Sequence, residues 1–371
     1  GDHLYLNQGK GVFTDATDRI PKLYFSKSVV KSSDIDLDGD LDLFVGGRLI
    51  PGKYGVSERS AILINNKGNF EDKTETFIPE LAKPFECVTD VCWIDLDKDK
   101  DEDLVIVGEW SPVRIFINEK SSFKEKSASY KTDSLFGWWN TIQKCDLNGD
   151  GNEDLVLGNL GTNIKFKASM VKPFYVYLND FDQNGTWDTY LASRDPDGTL
   201  FPVRGRQCSS EQMPFISEKF SNYDQFAKAS LEEILDGKMD GTVQKMATEF
   251  HSIILMNNGD GSFTKIELPA EAQISTVQSI AFYDFNQDGV KDILLGGNYY
   301  NREVETVRND ASVGQILLNV GGGQYAPLVN PVSGLKLFND LREMRIIKIK
   351  DKSVIIGANN NEKLQAFRIK V

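Results

Sequence analysis

The chain has 371 residues, 40% of them hydrophobic and 26% charged, with a formal net charge of −13. That balance suits a folded protein with a sizeable core and excludes wholesale disorder. The acidity argues against a nucleic-acid partner, which would need a basic face, and no apolar segment approaches the length of a membrane span. The four cysteines (Cys87, Cys92, Cys145, Cys208) match no zinc spacing and read as small buried hydrophobes, with a Cys87–Cys92 bridge as an open alternative.

In chain order the first element is a hairpin, LYLNQGKGVF (Leu4–Phe13): an apolar strand, an Asn, a turn and an aromatic. The unit returns at Ile62–Phe70, Ile115–Phe123, Ile254–Phe263 and Ile316–Tyr325. Its Asn and Gly are expected to supply the positive-φ positions of tight turns. After the first hairpin a strand, KSVVKSS, leads into DIDLDGDLD (Asp34–Asp42) and then an apolar run, Leu43–Gly47. The acidic pattern recurs as DLDKDKDED (Asp95–Asp103), DLNGDGNED (Asp146–Asp154), DFDQNGTWD (Asp180–Asp188) and DFNQDGVKD (Asp284–Asp292). Four of the five lead into apolar runs that read as strands buried on both faces. Between Arg204 and Glu249 the β pattern lapses, and Ser221–Gly237 reads as one amphipathic helix with Ser221 as N-cap, a lid or partner-binding element. The tail from Met344 reads as three strands with the acidic loop lost.

Oxygen donors at alternate positions, with a glycine at the turn, are what a hard cation such as Ca²⁺ needs from one tight loop. The expected ligands are Asp34, Asp36, Asp38, Asp40 and Asp42; Asp95, Asp97, Asp99, Asp101 and Asp103; and Asp146, Asn148, Asp150, Asn152 and Asp154. The last two loops offer Asp180, Asp182, Asn184, Thr186 and Asp188, and Asp284, Asn286, Asp288, Val290 and Asp292. The seventh position of each loop gives its backbone carbonyl. An EF-hand would need a Glu at position 12, where this chain has Val45, Ile106, Leu157, Leu191 and Leu295, so the ninth aspartate is expected to take that role. Two loops depart from the pattern: Lys100 replaces the glycine of the second, and the fourth has Asn184 at position 5 and no long apolar run behind it. Three to five structural Ca²⁺ ions are therefore expected.

Strand, acidic loop, strand, spacer, strand, tight turn, strand, recurring about every 50–60 residues, is the signature of a β-propeller blade. The expected fold is all-β: a propeller of four-stranded blades over residues 1–371, six or seven in the intact domain, with a helical insertion at 204–249. The segment Gly137–Ser193 carries two acidic loops and is expected to hold compressed or merged blades. The opening hairpin is the outer half of a blade. Either the two termini share one blade and close the ring, or the first half lies upstream of this chain, in a larger multidomain protein; the tail supplies its own third strand, which favours the second.

These motifs resemble the FG-GAP/VCBS repeat propellers related to integrin α-subunits, most of all those found with ASPIC/UnbV domains in secreted or surface bacterial proteins. The likeness rests on DLFVGGRLIPGKYG (Asp42–Gly55), DLVIVGEWSPVRIF (Asp103–Phe116) and GWWNTIQKCDLNGDGNEDLVLGNLG (Gly137–Gly161). KASLEEILDG (Lys228–Gly237) and LPAEAQISTVQSIAFYDFNQDG (Leu268–Gly289) add to it. The resemblance implies an extracellular, calcium-stabilised binding or adhesion scaffold without general catalytic activity. Neither His3 nor His251 accompanies a nucleophile motif. The residues six beyond each ninth aspartate, Arg48, Glu109, Leu160, Arg194 and Asn298, are expected to ring one face. Of these Arg48, Glu109, Arg194 and Asn298, with Tyr54, Trp110 and Tyr299, form the expected ligand face for a protein or glycan. The alternative is a carbohydrate-active propeller, whether glycan-binding, lyase or hydrolase.

Overall fold

A computed structural model describes residues 1–120, 122–301 and 306–370. Strands dominate, and they group into antiparallel sheets that follow the repeat read from the sequence. β1 (Tyr5–Asn7) and β2 (Phe13–Asp15) form a separate two-stranded hairpin. β3 (Lys27–Ser33), β4 (Asp42–Gly47), β5 (Ala61–Asn66) and β6 (Asn69–Asp72) make the first four-stranded sheet, in that order, and a one-turn helix, α1 (Thr74–Phe77), follows it. β7 (Cys87–Ile94), β8 (Asp103–Ser111), β9 (Arg114–Asn118) and β10 (Phe123–Glu125) repeat the plan, with β11 (Gly137–Trp138) pairing at the end of β8.

The third sheet opens with β12 (Thr141–Cys145) and β13 (Asp154–Gly158) and is then interrupted. The excursion builds a four-stranded sheet of its own from β14 (Phe174–Asn179), β15 (Asp188–Arg194), β16 (Leu200–Pro202) and β17 (Val243–Ala247), ordered β16-β15-β14-β17. β18 (Ile253–Asn257) and β19 (Phe263–Glu267) then complete the third sheet. The two close acidic loops are thus not merged blades. The Asp146 loop joins β12 to β13, whereas the Asp180 loop joins β14 to β15 in the inserted sheet. The next sheet is β20 (Ser279–Tyr283), β21 (Asp292–Gly296), β22 (Gln315–Gly321) and β23 (Gln324–Leu328). The last, as expected, has three strands: β24 (Leu341–Ile349), β25 (Lys352–Asn359) and β26 (Gln365–Arg368).

Helices do lie within 204–249, but in four short pieces: α2 (Arg206–Gln212), α3 (Phe215–Lys219), α4 (Tyr223–Lys228) and α5 (Leu231–Ile234). The single helix expected over Ser221–Gly237 is broken. Asn222, not Ser221, caps α4, and Ser230 starts α5 with a full capping box to Glu233. A serine whose hydroxyl takes a helix-start amide competes with helix continuation, so the chain restarts there. The helices bury Phe226, Leu231 and Ile234 against Tyr177 and Tyr190 of the inserted sheet.

The second strands β8, β13 and β21 are buried along their whole length, as their apolar runs demand. Each core lies between neighbouring sheets: Phe44 and Ile62 meet Val91 and Ile106, Val105 and Ile115 meet Ile142 and Leu157, and Leu294 meets Leu341 and Met344. The glycine ending these runs serves close approach more than turning. A Cβ on Gly46 would lie 2.7 Å from Val29 Cγ1 and 2.9 Å from Val88 Cγ1 of the next sheet. Polar contacts also couple the first strands across sheets. The Ser28 hydroxyl donates to Val88 O at 2.6 Å, and Met344 N donates to Ser279 Oγ at 3.0 Å. All four cysteines are free.

Candidate functional site

All five acidic stretches fold as the same loop. In each, the amide of position 6 donates to the carboxylate of position 1: Gly39 to Asp34, Lys100 to Asp95, Gly151 to Asp146, Gly185 to Asp180 and Gly289 to Asp284, at 2.9–3.2 Å. Two positions are left-handed: the sixth and also the fourth, where Leu37, Lys98, Gln183 and Gln287 have φ of 60–65°. Lys100 takes the glycine's place at φ 81, which costs a residue with a Cβ about 1 kcal/mol.

The ninth aspartate is the pivot. One oxygen accepts the amide of position 2, at 2.7–3.0 Å in every loop. In four sheets the other oxygen accepts the amide of the hairpin Asn: Asn65 to Asp42, Asn118 to Asp103, Asn257 to Asp154 and Asn319 to Asp292, at 2.7–2.8 Å. These asparagines therefore clamp hairpin to loop, and the positive-φ positions of the turns fall on glycines and on Lys10, Lys67 and Lys120. In the inserted sheet Gln212 Nε2 replaces the Asn amide on Asp188, at 3.1 Å. Burial pushes the carboxyls of Asp42, Asp154, Asp188 and Asp292 up, and that of Asp103 to about 7.

The donor set fits a hard divalent cation. Carboxylate oxygens of Asp34, Asp36 and Asp42 lie within 4.8 Å of one another, as do those of Asp95, Asp97 and Asp99 and of Asp180, Asp182 and Asp188. Oδ1 of Asp34, Asp95, Asp101 and Asn152 is buried without a hydrogen-bond partner, an arrangement that costs free energy unless a cation or water meets it. With both oxygens of the ninth aspartate already accepting amides, a bond to a cation there would use a remaining lone pair.

A cavity of about 640 Å³ lies where the first strands of the five repeat sheets converge, and β3, β7, β12 and β24 all contribute to its wall. Its charges come in pairs: Lys31 with Asp90 at 3.2 Å, Arg48 with Glu109 at 2.5 Å, and Arg345 with Glu343 at 3.3 Å. Arg342 lies over the Tyr299 ring, 5.4 Å from its centroid. A smaller cavity of about 290 Å³ adjoins it, sharing Tyr299 and Asn301 and adding Tyr54, Trp138 and Phe166. Burial, with Glu109 beside it, raises the Tyr54 phenol well above its ordinary value, so it remains a neutral hydroxyl. Arg48 N bonds Ser26 O at 2.9 Å, which puts Arg48 at the end of β3 away from the Asp34 loop. About 20 Å of strand separates that loop from the Arg48 rim.

Residues 34–106 and 95–157 match the FG-GAP-like repeat. Two overlapping FG-GAP-like repeats thus lie within residues 34–157. No curated protein matches it. Among solved structures, BBS1N in complex with ARL6DN is 8% identical, with 93% of each chain covered and a TM-score of 0.25. The V. cholerae biofilm matrix protein Bap1 is 10% identical, with 95% of this chain and 76% of that one covered and a TM-score of 0.29.

The expected ligand face is gathered only in part. Arg48, Glu109 and Tyr299 line the larger cavity, and Tyr54 joins Tyr299 in the smaller. Trp110 is 2% exposed; its ring lies tilted against Trp138 at 4.9 Å and its Nε1 donates to Tyr54 OH at 2.9 Å, so it positions Tyr54. Asn298 is buried and bonded to Ser312 O and Asn339 O, a loop staple. Arg194 lies in the inserted sheet, bonded to Tyr175 OH and Gly198 O, and lines neither cavity; Leu160 is buried. Sequence reading missed Lys31, Asp90, Arg342 and Glu343. Asp90, a charge inside the apolar strand CVTDVCWI, was the one legible signal.

Proposed function

We propose that the chain is a non-enzymatic, calcium-stabilised binding and adhesion scaffold that works outside the cell, where millimolar Ca²⁺ suits such loops. The observation that carries this reading is the separation of the two sites. The acidic loops sit at one end of the first strands, and Arg48 and Glu109 of the ligand-sized cavity lie toward the other. Calcium in this reading is structural. It is held by Asp34, Asp36 and Asp42 and their counterparts, and supplies charge to buried oxygens that otherwise lack partners. The ligand is a polar group of a protein or glycan that exchanges hydrogen bonds with Arg48, Glu109 and Lys31. No helix among the described residues is long and apolar enough to cross a membrane.

A carbohydrate ligand is favoured by one feature, the aromatic annex of Tyr54, Trp138 and Tyr299 beside the charged cavity, since sugar rings stack on such faces. The test has two arms. Chelation with EDTA is expected to lower the melting temperature by many degrees, and an unchanged melt would remove calcium from the account. Glycan and protein arrays are expected to give hits that weaken at least about tenfold on Arg48→Ala. Hits indifferent to that change would place binding elsewhere, and turnover of a bound glycan would make the protein an enzyme.

A further inference from the structure

In two of the acidic loops the second residue is held at both ends of its backbone, and by different sheets. In the third sheet Leu147 N donates to Asp154 Oδ2 at 2.9 Å, and Leu147 O accepts Asn319 Nδ2 of the fourth sheet at 2.7 Å. The Asn319 backbone amide donates in turn to Asp292 Oδ1 at 2.8 Å, and the other oxygen of Asp292 accepts Phe285 N at 2.7 Å. One unbroken run of hydrogen bonds thus links the ninth aspartates of two neighbouring loops. The first and second sheets repeat it. Ile35 N donates to Asp42 at 2.8 Å, Ile35 O accepts Asn118 Nδ2 at 3.4 Å, and Asn118 N donates to Asp103 at 2.8 Å.

The run is not common to all neighbours. Between the second and third sheets Asn257 Nδ2 donates to Glu153 O at 3.3 Å and, among the described residues, not to Leu96 O. In the inserted sheet Phe181 O accepts Lys238 Nζ at 3.3 Å, so the Asp180 loop stands outside the pattern. Leu147 is buried, 2% exposed, and packs with Ile280, Ile293 and Leu317 of the fourth sheet. It stands between Asp146 and Asn148, two of the expected ligands, so fixing its amide, its carbonyl and its side chain orients the donors on either side. In the same loop Asn152, 8% exposed, keeps an Oδ1 without a hydrogen-bond partner, which a cation would satisfy.

We propose that the Asp146 and Asp284 loops are a coupled pair of cation sites joined by the Asn319 side chain, and that the Asp34 and Asp95 loops are a second, weaker pair joined by Asn118. The inference rests on the calcium reading above and adds which sites communicate. Ordering the donors of the Asp284 loop steadies the Asp292 carboxylate, and with it the backbone of Asn319. The Asn319 side chain then holds Leu147 O, and so the two donors beside Leu147. Linkage makes the effect reciprocal. The Asn118 contact is long for a hydrogen bond, which makes its pair the weaker.

The test follows hydrogen exchange of the full chain loop by loop as calcium is added, which gives each loop its own midpoint. Asp288→Ala weakens the Asp284 site without stranding a buried amide, because the Val290 amide it releases is exposed. It is expected to raise the midpoint of the Asp146 loop about fivefold, the low end for coupled sites, and to leave the Asp180 loop unmoved. Repeated on an Asn319→Ala or an Asn319→Asp background, Asp288→Ala should no longer move the Asp146 midpoint, since neither side chain can donate to Leu147 O. Aspartate keeps the acceptor that Gly321 N uses at 3.0 Å, so that background guards against a folding defect. A shift that survives both backgrounds acts through space and overturns the proposal, as does no shift at all. If calcium protects none of the loops, the calcium reading fails and the pairing falls with it; protection without a shift sinks the pairing alone.

Discussion

Asp292 shows at residue scale why position nine differs from the other acidic positions. Its two oxygens accept Phe285 N at 2.7 Å and Asn319 N at 2.8 Å, and the residue is fully buried. Removing the carboxylate strands two amides, each costing about 1–3 kcal/mol when buried without a partner. Asp292→Ala is therefore expected to destabilise the fold by about 2–6 kcal/mol in urea unfolding, with calcium and with EDTA alike; a loss seen only in calcium would make the residue a metal ligand and little else. Asp288 is the contrast, since its carboxylate accepts only a loop amide and an Asn side chain and is exposed. Asp288→Ala should leave the EDTA melt nearly unchanged while lowering the calcium melt. The alternate acidic residues were legible as a group, but which of them holds the backbone and which offers spare oxygens depends on amides contributed from a hairpin some 15–103 residues away.

Among the elements, the helical insertion carries the clearest misreading. Ser221 and Asp224 resemble a capping box, yet the box that forms is Ser230 with Glu233, whose carboxylate takes Ser230 N at 2.7 Å. Both candidates stand in SNYDQFAKASLEEILDG, and spacing alone does not rank them. Burial of Leu231 and Ile234 against the inserted sheet does. Ser230→Ala is expected to cost about 1 kcal/mol and to speed hydrogen exchange in Leu231–Ile234 without altering exchange in the acidic loops. The hairpins show the complementary case. Their strands and turns were plain from the sequence, but the Asn in each was assigned to the turn, because its clamp partner lies on another strand.

Across the whole molecule, coupling between sheets runs through polar contacts on the first strands as well as through apolar cores. Asp90 on β7 reaches Lys31 of the first sheet at 3.2 Å and Thr141 Oγ1 and Ile142 N of the third at 3.0 and 3.1 Å. One carboxylate thus ties three sheets at the cavity wall. Asp90→Ala is expected to cost about 3 kcal/mol, the scale of a broken buried pair, and to broaden the thermal transition as neighbouring sheets lose their link. A sharp transition with an unchanged midpoint would show that the apolar cores alone couple them.

Local chemistry was enough to specify the strand–loop–strand repeats, the five identical acidic turns and the three-stranded tail. Alternating oxygen donors, left-handed positions and buried apolar runs act within about ten residues, so the sequence alone carries them. Only the tertiary structure decided that the Asp180 loop belongs to an inserted sheet, and that Arg194 stays out of the larger cavity while Asp90 and Arg342 line it. Each of these depends on which strands become neighbours, and that is set by burial summed over the whole chain, not by any one segment.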